Sequence, residues 1–291
     1  MLLAIVLVML TIGSVVFHFM SPWWWTDIAS NWGSIDTTIL ITFWITGVVY
    51  VAVLGFMAYC LYKYRYRADH RAEYDPENPK LEMRLTVLTA IGVTGLLIPG
   101  LITWNEYITV PEEATEIEVV GKQWQWSFRL PGQDGVLGTT NIKFMTGDNS
   151  FGINPNDPAG QDDILIDGDD LHMPLDKPVK VLLRATDVLH DFYVPQFRAK
   201  MDMVPGMITY IWLTPTRAAT FDILCAELCG VGHHTMRGLV VVESGADYDK
   251  WLQQQQTFAQ TMAAAGKGPD GAVKMVANEA DPKFAASGSA Q

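Results

Sequence analysis

Residues 225–236 read CAELCGVGHHTM, which sets two cysteines, a glutamate, two histidines and a methionine within twelve positions. Cys229 follows Cys225 after three residues, His233 follows Cys229 after three more, and Met236 follows His233 after two. Thiolate, imidazole and thioether are soft or borderline donors that suit copper and suit Mg²⁺ or Ca²⁺ badly. Zinc is more often met by Cys-x2-Cys and a second such pair, which a chain with three cysteines lacks. Three chemistries therefore fit the loop: a disulfide, a mononuclear blue-copper site and a two-copper electron-transfer centre. The cysteines alone favour a disulfide, since an oxidising compartment permits one. A blue-copper site needs a single Cys beside two His and a weak Met, so the second Cys favours two ions bridged by two thiolates.

Each of two ions would still want an imidazole. His190, in DVLHDFYVP, lies 35 residues before Cys225 and is the candidate second ligand. His234 competes with His233 but breaks the spacing. His18, His70 and His172 lack such neighbours and are read as structural or exposed, and Cys60 as a small apolar residue.

A rigid β-scaffold would have to hold these ligands, and residues 115–243 read as strands. TEIEVVGKQWQWSF, PVKVLLRA, MITYIWLTP and GLVVVES are rich in β-branched and aromatic residues and bounded by turn signals. A β-sandwich or Greek-key barrel is expected. Trp124 and Trp126 alternate along one strand-like run, which predicts that both side chains face the same way. Residues 131–170, crowded with Gly, Asp, Asn and Pro, predict a long irregular insertion. A surface helix is expected over 247–263, and a disordered tail over 264–291.

The N-terminal part is of another kind. No Lys or Arg precedes Lys63, and none falls between Leu85 and Gly121. Apolar stretches over 39–62 and 85–104 each approach the ~20 residues that span a bilayer core, and a transmembrane hairpin is expected over 37–105. Residues 1–20 have neither the basic start nor the small-residue cleavage site of a signal peptide. They run into SPWWW, where Trp23, Trp24 and Trp25 suit an interfacial aromatic belt, so a third transmembrane helix is expected. Six basic residues fall in the connection 63–84 and none in 21–36, which predicts that 63–84 is cytoplasmic and the domain after residue 105 periplasmic. From Glu106 onward there are 25 acidic against 14 basic residues, so this part carries −11 of the net −12. Such a field repels nucleic acid and draws basic partners. A solubility role accounts for it equally well.

The order of two membrane helices, acidic β-domain, QWQW, DVLH, VPG and CAELCGVGHHTM resembles subunit II of the haem–copper cytochrome c oxidases, over most of residues 37–243. The resemblance implies transmembrane helices followed by a cupredoxin-like Greek-key domain over 106–246 with a binuclear copper A centre. Cys225 and Cys229 would bridge both coppers, and His190 and His233 would bind one each. Met236 would be a weak ligand, and the Glu227 carbonyl another. The Glu227 carboxylate would reach a Mg or Mn ion shared with subunit I. It also implies electron input from cytochrome c at Trp124, a docking role for Asp187, and a place for Glu82 of KLEMRL at the cytoplasmic mouth of a proton pathway. The implied partners are subunit I, which reduces oxygen with proton translocation, and subunit III in an inner (plasma) membrane. The chain departs from the family pattern in its N-terminal helix, at Leu85, Thr89 and Arg129, and in the 131–170 insertion. No Cys-x-x-Cys-His follows the domain, so a fused cytochrome c is not expected. Three rivals differ in chemistry. A quinol oxidase subunit II would lack the copper ligands, a membrane-anchored cupredoxin carrier would need no Glu227, and a copper A nitric oxide reductase would differ in its large subunit.

Overall fold

Three helices dominate the first 108 residues: α1 (Leu2–Met20), α2 (Gly33–Lys63) and α3 (Pro79–Ile108). The computed structural model describes residues 1–21, 26–71, 74, 76–168 and 170–265. Trp23, Trp24, Trp25 and the tail from residue 266, on which a belt and disorder were expected, lie outside the described residues. All three helices are long and apolar enough to cross a membrane, with mean hydropathy of 2.5, 2.3 and 2.1. Their side chains are apolar on every face and largely unburied within the chain, the mark of helices whose surroundings are lipid or other helices.

α2 and α3 outrun the apolar stretches at 39–62 and 85–104. At ~1.5 Å per residue, α2 is about 46 Å long against a ~30 Å hydrocarbon core. The backbone ladder does not stop where the lipid does, so polar residues continue each helix into water. The connection is therefore 64–78, shorter than the expected 63–84, and Lys63, Lys80, Glu82 and Arg84 are helical. Asn78 closes α3 by accepting from the Leu81 amide, with Pro79 in the first turn where its missing donor costs nothing. Inside α2, Thr42 and Thr46 return their hydroxyls to the carbonyls four residues back, which satisfies them in lipid. α1 lies against α2, joined by a 2.9 Å Ser14–Tyr50 hydrogen bond.

The rest is a sandwich of two five-stranded sheets. Its strands are β1 (Thr115–Lys122), β2 (Gln125–Leu130), β3 (Ile164–Asp167), β4 (Leu171–Pro174), β5 (Val179–Ala185), β6 (His190–Val194), β7 (Ala199–Met203), β8 (Thr209–Leu213), β9 (Ala219–Cys225) and β10 (Arg237–Glu243). One sheet runs β3-β2-β1-β5-β8 and the other β4-β10-β9-β6-β7. β1 pairs parallel with β5 and β10 with β4, while the remaining pairs are antiparallel. This is the cupredoxin-like sandwich the sequence predicts. Val179, Val181, Leu183 and Ala185 of β5 alternate inward, as a half-buried strand requires. They meet Phe192, Val194, Phe221 and Ile223 of the facing sheet in the main core.

β1 breaks that alternation, because both its faces are covered. Outward-facing Val120 packs with Phe151, Ile153, Phe258 and Met262 in a second apolar cluster. Outward-facing Glu118 pairs with Arg129 and Arg184, and Arg129 also holds the buried Asp163. The 131–170 insertion is thus less irregular than predicted. It contributes β3 and two 3-10 turns, Ile142–Phe144 and Pro158–Gly160, and covers the outside of the first sheet. The single helix expected over 247–263 is two, α4 (Gly245–Leu252) and α5 (Phe258–Ala264). Thr257 and Gln260 form a capping box that starts the second and breaks the run.

Residues 26–32, between α1 and α2, belong structurally to the base of the sandwich. Asn31 exchanges two hydrogen bonds with Thr214, and Trp32 is buried against Trp212 and Tyr107.

Candidate metal centre

Local geometry explains why the loop 225–236 can gather donors. Cys225 ends β9 and pairs across the sheet with Phe192 of β6, two residues past His190, so the ladder sets the imidazole beside the first thiol. The chain then loops through Gly230 and a 3-10 turn (His233–Thr235) before Met236 leads into β10. Cys225 Sγ lies 3.9 Å from His190 Nδ1, and Cys229 Sγ lies 3.6 Å from His233 Nδ1. The two sulfurs are 3.7 Å apart, far beyond a ~2.05 Å disulfide bond, and both cysteines are free. Met236 Sδ stands 3.9 Å from Cys229 Sγ, and the Glu227 carbonyl 3.2 Å from Cys225 Sγ.

This donor set fits copper. Metal–thiolate bonds near ~2.3 Å let each of two sulfurs 3.7 Å apart reach a shared ion. The donors of His190, Cys225 and Cys229 lie within 4.8 Å of one another, and His233 approaches from the Cys229 side. An imidazole at either end of a thiol pair is the arrangement two bridged ions need. Burial, and then the neighbouring Cys225, push the Cys229 thiol up to about 11. The metal-free loop thus holds that proton, and a bound metal ion would displace it.

A second tier of residues holds the candidate ligands in place. His190 is fully buried, and its Nε2 lies 2.9 Å from Asp187 Oδ1, which leaves Nδ1 toward the sulfurs. Asp187 also accepts from the Gln123 and Val188 amides. Burial alone would raise its pKa, but the bonds from Gln123, His190 and Val188 prevail and hold it below the usual carboxylate value. The carbonyl of Cys229 accepts from Gln123 Nε2 at 2.9 Å and from Trp124 Nε1 at 3.2 Å. Gly232 is required here, since a Cβ would come within 2.3 Å of the Trp124 ring.

The structure brings His190, Cys225, Cys229, His233, Met236 and the Glu227 carbonyl together, with Trp124 and Asp187 against them. His234 is exposed. Glu82, in the first turn of α3, stands apart from the group. His172 is stacked on Trp251 and paired with Glu243, a structural role. Trp124 and Trp126 do not share one strand: Trp124 sits in the turn between β1 and β2, 38% exposed, while Trp126 is buried in β2. Asp187 bonds His190, a candidate ligand, a tie the sequence analysis missed, although its position three residues before His190 was a visible signal. Gln123 gave no signal in the sequence.

Residues 115–244 match the family model described as cytochrome c oxidase subunit II, periplasmic domain. The chain is 59% identical over 259 residues to the alternative cytochrome c oxidase subunit 2 of Bradyrhizobium diazoefficiens, covering 89% of this chain and 94% of that protein. It is 28% identical to cytochrome c oxidase subunit 2 of Cereibacter sphaeroides, over 72% of this chain and 75% of that one. Among solved structures, it is similar to the periplasmic domain of subunit II of cytochrome oxidase of Bradyrhizobium japonicum. That likeness has 22% identity and a TM-score of 0.38, and covers 50% of this chain and 95% of that chain. With paired thiols flanked by imidazoles and 59% identity across nearly its whole length, the chain belongs to the cytochrome c oxidase subunit II family.

Proposed function

We propose that this chain accepts single electrons from cytochrome c at a binuclear copper A centre and passes them to the haem–copper subunit I, where oxygen is reduced to water with proton translocation. The observation that carries this reading is the pair of free thiols 3.7 Å apart with an imidazole at each end. Cys225 and Cys229 would bridge the ions, His190 and His233 would each bind one, and Met236 and the Glu227 carbonyl would be the weaker ligands. When bound, a thiolate-bridged copper pair supplies a one-electron site in which the charge change is shared, so little needs to move. The chain's part is to keep it so. β6, β9 and β10 hold the ligands, and Asp187 orients His190, which limits rearrangement between redox states.

Trp124 is the electron input. Its ring is partly exposed at the domain surface, and its indole nitrogen is one hydrogen bond from the carbonyl of a ligand residue. The Glu227 carboxylate, whose charge reaches Lys200, would serve a hard divalent ion, Mg or Mn, at the boundary with subunit I. The unpartnered apolar faces of α2 and α3 suit contact with subunits I and III in a plasma membrane. Arg65, Arg67 and Arg71 in the 64–78 connection support a cytoplasmic connection and a periplasmic sandwich, since basic residues concentrate on the cytoplasmic side. Glu82, at the cytoplasmic start of α3, is then positioned for proton uptake.

Metal analysis and EPR of the detergent-solubilised full chain test the centre. Two coppers per chain with a mixed-valence signal are expected, and Cys225→Ser should abolish that signal. One copper with a blue-copper spectrum refutes the reading.

A further inference from the structure

The turn after β6 contains a non-glycine residue in a left-handed conformation, Arg198 at φ 55. Side chains other than glycine seldom adopt it, so something must hold this residue there. All five N–H donors of its guanidinium are engaged. Nε and Nη2 grip the two oxygens of Asp36 at 2.7 and 2.8 Å. Nη1 reaches Thr26 Oγ1 at 2.9 Å and the Pro195 carbonyl at 2.7 Å, and Nη2 also reaches the Thr26 carbonyl at 2.7 Å. Asp36 is in the first turn of α2, and Thr26 is in the segment that leads to it. The same turn is held from its other side, where Ser30 donates to the Phe197 carbonyl and the Ala29 amide to that of Gln196.

β6 connects this grip to the metal centre. It begins at His190, runs five residues to Val194, and passes through Pro195–Phe197 straight into Arg198. One end of the strand carries a copper ligand, and the other is clamped to a membrane helix. Trp32, buried against Trp212 and Tyr107, also joins the sandwich to the helices, with single neutral hydrogen bonds from Trp32 to the Trp212 carbonyl and from Trp212 to the Glu106 carbonyl, each weaker than a charged pair. A two-pronged guanidinium–carboxylate pair fixes both distance and angle.

We propose that Arg198 is a positioning residue for electron hand-over. By gripping Asp36, it sets the height and tilt of the copper-binding loop above the membrane. The inference rests on the function proposed above. A copper pair held there would supply one electron to a haem of the membrane partner, at a rate that falls steeply with separation. Asp36 and Arg198 lie outside the set of candidate metal-holding residues and would act through β6 and α2.

Two measurements test this. The first needs no metal: the full chain in nanodiscs carries spin labels, as genetically encoded unnatural residues, at exposed Val136 and Ile39, and pulsed EPR reads their separation. The wild type should give a narrow distribution, and Arg198→Ala a broad one. The second uses the assembled oxidase, in which the copper pair is photoreduced and its reoxidation by haem is timed. Arg198→Ala should leave the copper EPR signature and reduction by donor intact while slowing hand-over roughly tenfold, in keeping with the large rate losses that follow ~1 Å misplacements. Arg198→Lys and Asp36→Asn should fall between, because a point charge or a neutral amide keeps part of the grip. If Arg198→Ala does not assemble, these two variants decide on the same readouts. Narrow distances with wild-type hand-over, or a slowing that merely tracks copper loss, would overturn the proposal. A wild-type chain without a two-copper signature would instead remove the function on which it rests, whatever the variants show.

Discussion

The indole nitrogen of Trp124 donates to the carbonyl of Cys229 at 3.2 Å, although the two residues are 105 positions apart. Gln123 donates to the same oxygen, so the turn between β1 and β2 is fastened to the loop that carries both thiols. An exposed aromatic ring is thereby joined to a candidate metal ligand through one hydrogen bond and a short stretch of backbone.

Docking and transfer should separate at this residue. Trp124→Gln removes the ring without changing any charge, so KM for cytochrome c and its salt dependence should stay near wild type. Transfer within the docked complex should fall by roughly 100-fold, the scale of losses that follow from small displacements of reacting partners. Trp124→Phe keeps a ring but loses the bond to Cys229 and should lie between. Stopped-flow reduction at several ionic strengths reads both quantities, because surface charge is screened over ~8 Å at physiological salt. A normal transfer rate in a copper-replete Trp124→Gln protein would place the input elsewhere.

Asp187→Asn tests the orientation of His190. Asp187 accepts from the Gln123 amide at Oδ2 and from the Val188 amide at Oδ1, so the single oxygen of Asn keeps one of these bonds and the overall fold should survive. The charge facing His190 Nε2 is lost, and loss of such a partner typically weakens metal binding about 10–100-fold. Copper titration against a competing chelator should show that drop with an unchanged circular dichroism spectrum. Affinity equal to wild type would reduce Asp187 to a surface residue.

The candidate ligands could be read from the sequence because most of them lie within a dozen residues and their chemistry is unusual. His190 could be found because two ions demanded a second imidazole. What stayed hidden depended on tertiary contacts. Period-two reasoning put Trp124 and Trp126 on one face, but a tight turn at Gln123 and Trp124 interrupts the strand, so one ring reaches the surface and the other fills the core. Arg129 stood out only as a departure from the family pattern, yet it is buried between Glu118 and Asp163, partners 11 and 34 residues away. Apolar runs gave the helices but not their ends, since those are set by caps such as Asn78 and by water.

Glu227 has two chemically separate groups. Its carbonyl lies 3.2 Å from Cys225 Sγ and does not depend on the side chain, whereas its carboxylate is the hard donor. Glu227→Gln in the assembled oxidase should keep two coppers and the mixed-valence signal. Bound manganese, read by EPR after growth on Mn²⁺, should weaken at least tenfold, because hard cations favour charged oxygen. Loss of copper with manganese intact would reverse the assignment.

Asp163 gives a prediction about pH and stability. It is fully buried where the 131–170 insertion meets β2, and accepts from Arg129 Nη1 and the Gly138 amide. Burial pushes its pKa up to about 6, against the lowering pull of Arg129 and Gly138. Unfolded, the group returns to about 3.9. Between these values the folded chain keeps a proton that the unfolded chain has released. The contribution of this group to stability is therefore fully present below about pH 4 and is lost as pH rises through about 6. Asp163→Asn imitates the protonated acid at every pH, with an oxygen still able to accept from Arg129 and Gly138. Thermal unfolding of the sandwich, followed by near-UV circular dichroism of the full chain in detergent, should therefore show the difference in Tm between variant and wild type moving in the variant's favour from pH 4 to 7. A difference that is flat across that range would mean Asp163 titrates near its unfolded value. A difference moving the opposite way would mean that the ion pair with Arg129 outweighs burial and that the carboxylate is charged throughout.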